Sequence, residues 1–390
     1  MTRTALVTGA SGLLGRQVLK AFQQDGSWTV TGQGFTRASP PEILKADLTV
    51  AAEVEKLLDD VKCSFTVSHP SIQPYMADRY EGAANRFPDK CDADPSLARA
   101  INVEATRTLA HATATRSILL IYISTDYVFS GVEGEAPYET SSPTNPPNIY
   151  GLTKRDGEEA VLQQTGATGK GVVLRIPVLY GPATTNSDSA VNVLLDAVEK
   201  ARDANAAVKM DDWSKRYPTH TEDVARVCRD IAVRYLGQDG SLPVVLQFSS
   251  DVQTTKYQMC ELFAELLGVS IPGMVRVTDG GKPGEGVQRP YDTHLSTRAL
   301  REVGISVDTQ DFRAWCHRRR RRHIIRSPPR PATRPAPTAT PMMRLLVRLR
   351  LKRTIPWVAG GGLDGELDEP PEQEEARDAA DDDACDGAAA

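Results

Sequence analysis

The chain has 390 residues, a formal net charge of −5 and 40% hydrophobic residues. This length accommodates two domains, or one large α/β domain with an appendage, and the apolar fraction suffices for a sizeable core. The six cysteines show neither CxxC nor metal-ligand spacing, which excludes a recognisable metal motif and indicates a reducing compartment. No apolar run is long enough to span a bilayer and no signal peptide precedes the first strand, so we expect a cytoplasmic protein without a membrane partner.

The first predicted element is an apolar strand at 5–7, which runs into a glycine-rich turn and an amphipathic helix. In this arrangement Gly9 permits a tight turn, Gly12 removes a side chain beside a pyrophosphate, and Gly15 lets the helix pack on the strand. The helix N-terminus offers free N–H groups and the positive end of its dipole to phosphates. The pattern therefore predicts a dinucleotide site; the alternative is a plain strand–turn–helix.

Strands and helices alternate from this turn to about residue 180. The alternation predicts an α/β fold, a Rossmann-type doubly wound parallel sheet. Residues from about 182 to 315 are expected to contribute a smaller C-terminal substrate lobe. The elements that carry this prediction are strands at 29–31, 117–124, 171–180 and 244–248 and helices at 53–61, 97–116 and 150–164.

The segment 63–82 departs from this alternation. A buried strand is due there, since the preceding helix must return to the sheet, yet only Phe65 and Val67 resemble one and Pro70 and Pro74 cut it short. We therefore interpret 63–82 as an anomalous insertion that replaces the strand, and we expect the centre of the sheet to be damaged.

The composition changes again after Trp315. The stretch 316–390 is first rich in arginine and proline and then acidic and rich in alanine. Such a composition cannot bury a core, so we predict a disordered tail there and an ordered domain over 1–315. The run Arg318–Arg322 is of a kind that binds nucleic acid or anionic lipid, but no stacking aromatic residues accompany it, so a solvated tail without a nucleic-acid partner is favoured.

Tyr150, Lys154 and a hydroxyl from Ser124 or Thr125 form a candidate acid–base set. Tyr150 and Lys154 are four residues apart on a predicted helix and therefore share a face. A nearby ammonium lowers the pKa of a phenol, and the lysine can also reach the ribose hydroxyls of a nicotinamide nucleotide. Ser124 and Thr125 end a buried strand at its carboxyl end, where a hydroxyl can hydrogen-bond a substrate carbonyl.

This combination resembles the extended short-chain dehydrogenase/reductase superfamily. Within it, Ser124-Thr-Asp-Tyr-Val-Phe129 is similar to the dTDP-4-dehydrorhamnose reductase branch. Further blocks are similar to the family of regulatory β subunits of methionine adenosyltransferase, and Arg216-Tyr-Pro-Thr-His220 is the most specific of them. The similarity covers about residues 1–315 apart from 63–82. Arg216 and His220 could line the substrate end of the site, but Thr219-His220 before Glu222-Asp223 could equally be a helix entry.

The family binds NADP, and the resemblance places its contacts by position. Independently, the second strand ends without an acidic residue to hold a free ribose 2′-hydroxyl, and Arg37 suits a phosphate, which favours NADP over NAD. Arg37 as an ordinary loop arginine is the alternative. The implied cofactor residues are Gly9, Ser11, Gly12, Leu13, Leu14 and Gly15 at the pyrophosphate, Phe35 and Arg37 at the 2′-phosphate, Asp47 and Leu48 at the adenine, Gly82 and Arg86 at the middle, and Leu179, Tyr150 and Lys154 near the nicotinamide.

Two functions follow from the resemblance. The first is an NADP-binding regulatory subunit, which forms a hetero-oligomer with the catalytic subunit of methionine adenosyltransferase and supports S-adenosylmethionine synthesis. The alternative is an NADPH-dependent reductase of a nucleotide-sugar ketone, in which Tyr150 delivers a proton, Lys154 assists and Thr125 orients the carbonyl oxygen. The Arg-Tyr-Pro-Thr-His block favours the first, while the intact Thr-Tyr-Lys set keeps the second open.

Overall fold

A computed structural model of the chain describes residues 3–68, 88–237, 242–280 and 286–318. These residues belong to the first of two units, Met1–Pro328. The second unit, Pro329–Ala390, lies outside the described residues. So does the tail predicted over 316–390, except for residues 316–318, which are helical and include the buried Cys316.

Strands and helices alternate through the described chain as the sequence predicts. The strands are β1 Arg3–Val7, β2 Trp28–Gly34, β3 Ile43–Lys45, β4 Phe65–Ser68, β5 Leu119–Thr125, β6 Gly171–Ile176, β7 Leu179–Tyr180, β8 Val208–Asp211, β9 Thr219–His220, β10 Val245–Gln247 and β11 Met274–Val277. The α-helices are α1 Leu13–Gln23, α2 Ala51–Val61, α3 Pro88–Ala93, α4 Pro95–Arg99, α5 Thr106–Thr115, α6 Ile149–Thr165, α7 Leu194–Lys200, α8 Thr221–Leu236, α9 Lys256–Leu267 and α10 Arg298–Glu302.

Seven strands form one sheet in the order β10-β6-β5-β4-β1-β2-β3, and every neighbouring pair is parallel. The chain leaves β1 toward β2 on one side and continues from β4 toward β5 on the other. The strand order therefore reverses between β1 and β4, and a ligand crevice is expected beyond the carboxyl ends of these two strands. The predicted doubly wound parallel sheet is confirmed.

Both faces of this sheet are covered by helices, which explains why β5 and β6 are buried along their whole length. Alternate side chains of β5 contribute to two different apolar clusters. Leu119, Ile121 and Ile123 pack in the cluster with α1 and α8. Leu120 and Tyr122 pack in the cluster with α2, α5 and α6.

Strand β4 corrects the prediction that residues 63–82 replace the central strand. It pairs with β1 on one side and β5 on the other, and all four of its residues are buried. Phe65 also stacks on Phe22 and meets the edge of Trp28, with ring centroids 5.4 and 5.9 Å apart. Four residues suffice to form this central strand because both of its edges are paired. Residues 69–82 lie outside the described part of the chain.

Two other predicted elements are interrupted. The helix expected over 97–116 contains a π-helical turn at Ala100–Ala105, between α4 and α5. The strand expected over 171–180 ends at Ile176, because Pro177 cannot donate to a sheet ladder, and it resumes as the two-residue β7.

The segment 182–315 contributes to two regions rather than one. Helices α8 and α10 pack in the same apolar cluster as the main sheet, to which β10 also belongs. The remainder forms a smaller region with its own apolar cluster around Tyr180, Met259 and Phe263, and with the short sheet β8–β11. Among the described residues, no helix has the length and apolar character needed to cross a membrane.

Candidate functional site

The glycine turn lies directly after β1, at the point where the strand order reverses. Gly9 has a φ of +61°, a left-handed conformation that glycine adopts without strain. Its carbonyl oxygen accepts a hydrogen bond of 2.8 Å from the Gly12 N–H, which closes the turn. A Cβ on Gly15 would lie 2.1 Å from that same oxygen and 2.9 Å from the Ala10 Cα. The third glycine is therefore required by a backbone contact, as the sequence predicts.

The N-terminus of α1 is open to an anion. Its N-cap residue is Gly12, which has no side chain to accept from the first-turn N–H groups, and the first turn contains no acidic residue. The N–H groups of a first helical turn have no partner within the helix. Together with the helix dipole, these groups could hold an anion at the crevice, where Leu13 and Leu14 would contribute the backbone.

Gln33 on β2 braces the glycine turn, and sequence reasoning missed it. Its side chain is buried, its Oε1 accepts from the Gly9 N–H at 3.1 Å, and its Nε2 donates to the Ala46 carbonyl at 2.6 Å. The Gln33 carbonyl also accepts from the Ala10 N–H at 2.8 Å. The sequence signal for this contact was the pair of glycines on either side of Gln33, in Gly32-Gln-Gly34. A Cβ on Gly32 would lie 2.7 Å from the Ala10 Cβ, so the strand approaches the glycine turn too closely for a side chain there.

The residues predicted for the adenosine end follow β2 and β3. Arg37 is half exposed, and its Nη1 lies 3.7 Å from a carboxylate oxygen of Asp188. The Lys45 ammonium lies 5.1 Å from the centre of the Phe35 ring. Asp47 accepts hydrogen bonds from the backbone and hydroxyl of Thr49, so its carboxylate stabilises the turn before α2.

The remaining four predicted cofactor residues are Leu48, Leu179, Gly82 and Arg86. Leu48 is partly buried against the apolar cluster of α2, α5 and α6. Leu179 lies on β7, which pairs with β9. Gly82 and Arg86 lie outside the described residues.

The acid–base set comes together at the carboxyl end of β5. Thr125 ends β5, where its hydroxyl donates to the Asp126 carboxylate at 3.0 Å, and it interacts with the phenol of Tyr150 on α6. Burial raises the pKa of the Tyr150 phenol above its ordinary value, against the effect of the Thr125 side chain. The expectation that Lys154 lowers this pKa is therefore wrong, because desolvation of the phenol outweighs the favourable interactions around it.

Lys154 points into the protein rather than toward solvent. Its Nζ donates to the Ile123 carbonyl at 2.7 Å and lies 4.1 Å from the centre of the Tyr122 ring. Burial lowers the pKa of this ammonium from 10.5 to about 7, against the attraction of Glu158. Lys154 is thus a desolvated amine held beside the candidate acid–base groups, as is common at ligand sites.

We expect Lys154→Met to raise the thermal unfolding temperature of the unliganded protein by roughly 2–5 °C, because methionine fills the space without a desolvated ammonium. The folded state holds the lysine with a lowered pKa, so the wild type gains stability as pH rises from about 7 toward 10.5. The advantage of the variant should be largest below pH 7 and should shrink toward pH 10. Calorimetry at pH 6 and pH 9.5 measures it, and a lower unfolding temperature at pH 6 would contradict it.

A buried ion pair supports α6 behind this set, and sequence reasoning missed it. Glu158 accepts from Nε and Nη2 of Arg175 at 2.9 and 2.7 Å, and it also accepts from the Ser124 hydroxyl. Both side chains of the pair are at most 6% exposed. The sequence signal for Glu158 was its spacing. It follows Lys154 by four residues and Tyr150 by eight, so it continues the same helix face.

Arg216 and Tyr127 extend the site beyond Tyr150. The rings of Tyr127 and Tyr150 meet edge to face, with centroids 5.9 Å apart. The buried Arg216 donates to the Tyr127 hydroxyl at 3.2 Å and lies over the Tyr127 ring. His220 instead accepts from the Glu222 N–H as the N-cap of α8. Of the two open alternatives, Arg216 therefore lies next to the acid–base set and His220 begins a helix.

Asn102 lies in the π-helical turn and contacts the same helix α6. Its amide donates to the Thr153 hydroxyl at 3.0 Å, and both residues are buried. The interruption of the helix thus places a polar side chain against the residue that precedes Lys154.

Comparison with known proteins connects this geometry to one family and its relatives. The family model described as RmlD substrate binding domain matches residues 3–318. Methionine adenosyltransferase 2 subunit beta of Xenopus tropicalis is 38% identical over 307 residues, which cover 79% of this chain and 84% of that protein. The dTDP-4-dehydrorhamnose reductase of Streptomyces griseus is 29% identical over 323 residues, covering 80% of this chain and 94% of the relative.

Solved structures share the fold. A dTDP-4-dehydrorhamnose reductase from Bacillus anthracis, in complex with NADP, superposes with a TM-score of 0.63 at 19% identity, covering 82% of this chain and 97% of that one. A UDP-glucose 4-epimerase from Thermus thermophilus, in complex with NAD, superposes with a TM-score of 0.62 at 18% identity, covering 80% and 96%. At these identities the likeness concerns the fold.

Proposed function

Because the chain belongs to the RmlD substrate binding domain family, we propose that it is an NADP-binding regulatory subunit of methionine adenosyltransferase. In this role it forms a hetero-oligomer with the catalytic subunit and supports S-adenosylmethionine synthesis. The partner is proposed because the chain is 38% identical to a protein named as that subunit, over 84% of that protein's length. The reductase relative is less similar, at 29%.

The dinucleotide part of the proposal has its own support in the geometry. An open helix N-terminus follows β1 at the reversal of strand order, and Gln33 fixes the turn that leads into it. A pyrophosphate would accept from the first-turn N–H groups, while Lys154 and Tyr150 would meet the nicotinamide ribose at the carboxyl end of β5. Bound there, the dinucleotide would supply hydride chemistry if a reaction occurs.

We expect Arg37→Ala to weaken NADP⁺ binding about tenfold to a hundredfold and NAD⁺ binding at most about threefold, because only NADP⁺ carries a 2′-phosphate for this guanidinium to hold. Isothermal titration of both dinucleotides measures the two dissociation constants. Arg202→Ala is the matched control, since Arg202 is an exposed arginine paired with Glu199 in another part of the chain. Equal losses for NADP⁺ and NAD⁺ would remove Arg37 from the 2′-phosphate site.

A second candidate function is a reductase of a nucleotide-sugar ketone. It is favoured by one observation, the intact arrangement in which the Thr125 side chain interacts with Tyr150 and Lys154 lies one helical turn further on. In this role Tyr150 would donate a proton to the carbonyl oxygen that Thr125 orients, while Lys154 assists. Oxidation of NADPH on addition of dTDP-4-dehydrorhamnose, lost in Tyr150→Phe, would support it.

A further inference from the structure

Asp188 lies between two arginines at the edge of the proposed dinucleotide site. Its Oδ2 is 3.5 Å from Nη2 of Arg16, which belongs to the helix that follows the glycine turn. Its Oδ1 is 3.7 Å from Nη1 of Arg37, which follows β2. One carboxylate therefore faces both a guanidinium beside the pyrophosphate position and the guanidinium proposed for the 2′-phosphate.

The position of this carboxylate is fixed by its own loop. Asp188 ends the short 3₁₀ turn Asn186–Asp188, and its Oδ2 accepts from the N–H groups of Thr184 and Thr185 at 3.0 and 3.3 Å. Its side chain is only 14% exposed. Although burial opposes ionisation, the two N–H groups and the two guanidiniums together keep the pKa of Asp188 below its ordinary value. The group therefore carries its negative charge at neutral pH.

Arg16 connects the Asp188 loop to the glycine turn. Its Nη1 donates to the Ser11 carbonyl at 3.1 Å and to the Thr184 hydroxyl at 3.0 Å. Its Nη2 is buried and makes no hydrogen bond with the described residues, among which its one charged partner is Asp188 in the longer ion pair. This guanidinium thus keeps a buried donor that a better-placed anion would satisfy.

A phosphate and a carboxylate that approach the same guanidinium repel each other. A phosphate oxygen also makes stronger and shorter bonds to arginine than a carboxylate at 3.5–3.7 Å. NADP⁺ would place its 2′-phosphate against Arg37 and its pyrophosphate near Arg16, so Asp188 would face both anionic groups. NAD⁺ lacks the 2′-phosphate and would meet this repulsion only at the pyrophosphate.

We propose that Asp188 is an internal competitor for the arginines of the dinucleotide site, and that it determines cofactor affinity and specificity by weakening NADP(H) binding more than NAD(H) binding. The inference rests on the proposed function, because it requires a dinucleotide at this crevice. It adds a residue from the loop after β7 to the determinants of specificity, which otherwise lie at the ends of β1 and β2.

The test is Asp188→Asn in the full-length protein. The amide oxygen of asparagine can still accept from Thr184 and Thr185, so the turn is retained while the charge is removed. NADP⁺ should bind about fivefold more tightly and NAD⁺ at most about twofold more tightly in isothermal titration. In the Arg37→Ala background the extra gain for NADP⁺ should disappear.

Two variants serve as checks. Asp196→Asn removes the same charge from a carboxylate that contacts Asn186 of the same turn, and it should leave both dissociation constants unchanged. Asp188→Ser keeps an acceptor at the turn and should reproduce the tighter NADP⁺ binding if asparagine fails to fold. If the wild type binds NADP⁺ but the folded Asp188 variants bind it no more tightly, the inference about Asp188 is overturned and the proposed function is not. A wild type that binds neither dinucleotide would overturn the proposed function and this inference with it.

Discussion

Replacing Gly15 with alanine is expected to abolish detectable dinucleotide binding and to lower the thermal unfolding temperature by roughly 5–10 °C. The new Cβ would lie 2.1 Å from the Gly9 carbonyl oxygen and 2.7 Å from its carbon, so backbone atoms must move. This displacement separates α1 from the glycine turn and misplaces the N–H groups that face the anion. The higher helix propensity of alanine offsets only about 1 kcal/mol of the cost. Calorimetry and titration with NADP⁺ measure the two effects.

Gly26→Ala is the matched control. Gly26 is an exposed glycine in the turn after α1, and a Cβ built on it meets no atom of the described part of the chain within 4 Å. Its substitution should leave NADP⁺ affinity unchanged and shift the unfolding temperature by at most about 2 °C. A Gly15→Ala variant that binds NADP⁺ like the wild type would show that the close approach of helix and turn is unnecessary for the site.

Glu158→Ala is expected to reduce the free energy of unfolding by about 3–5 kcal/mol, because it leaves the Arg175 guanidinium buried without its carboxylate. The Ser124 hydroxyl loses its acceptor at the same time. Chemical denaturation followed by circular dichroism measures the change. Since Glu158 shares a helix face with Tyr150 and Lys154, we also expect weaker dinucleotide binding.

The neighbouring Glu159→Ala provides the control. Glu159 pairs with Arg155 at 3.7 Å on the same helix, but its side chain is 59% exposed, so its loss should cost at most about 0.5 kcal/mol. Replacing both Glu158 and Arg175 with methionine should recover most of the stability that Glu158→Ala loses, since no charge is then left buried. Equal effects of the two glutamate variants would contradict the assigned role of the buried pair.

The elements with strong local patterns could be predicted from the sequence. The apolar run of β1, the three glycines and the helix that follows are determined within about twenty residues, and their backbone contacts confirm the predicted turn. The i, i+4 spacing of Tyr150 and Lys154 likewise predicts a shared helix face, and the structure confirms it. In each case the physical reason for the pattern is local.

Features that depend on distant parts of the chain could not be predicted. Strand β4 has a weak pattern of its own and exists because β1 and β5 pair with both of its edges. Gln33 and Glu158 look like ordinary polar residues until the fold brings them to Gly9 and Arg175. The pKa of Tyr150 was predicted in the wrong direction because its sequence neighbours indicate a cation but not the degree of burial.

The regulatory and catalytic interpretations share one site but make different use of it. In the regulatory role, the dinucleotide stabilises the subunit whose surface binds the partner, so the Thr125–Tyr150–Lys154 set acts as a group of cofactor ligands. By mass action, a ligand that binds only the folded chain at a hundred times its dissociation constant adds about 2.7 kcal/mol of stability. The proposed competition by Asp188 would then keep this stabilisation responsive to the concentration of NADP(H).

The role proposed for this chain is that of an NADP-binding regulatory subunit of methionine adenosyltransferase. Size-exclusion chromatography with light scattering tests it most directly, using the full-length chain, the catalytic subunit from the same organism and saturating NADP⁺. We predict a single hetero-oligomeric peak whose mass exceeds that of either component alone. Two separate peaks at micromolar concentrations, each with the mass of its free component, would rule out this role.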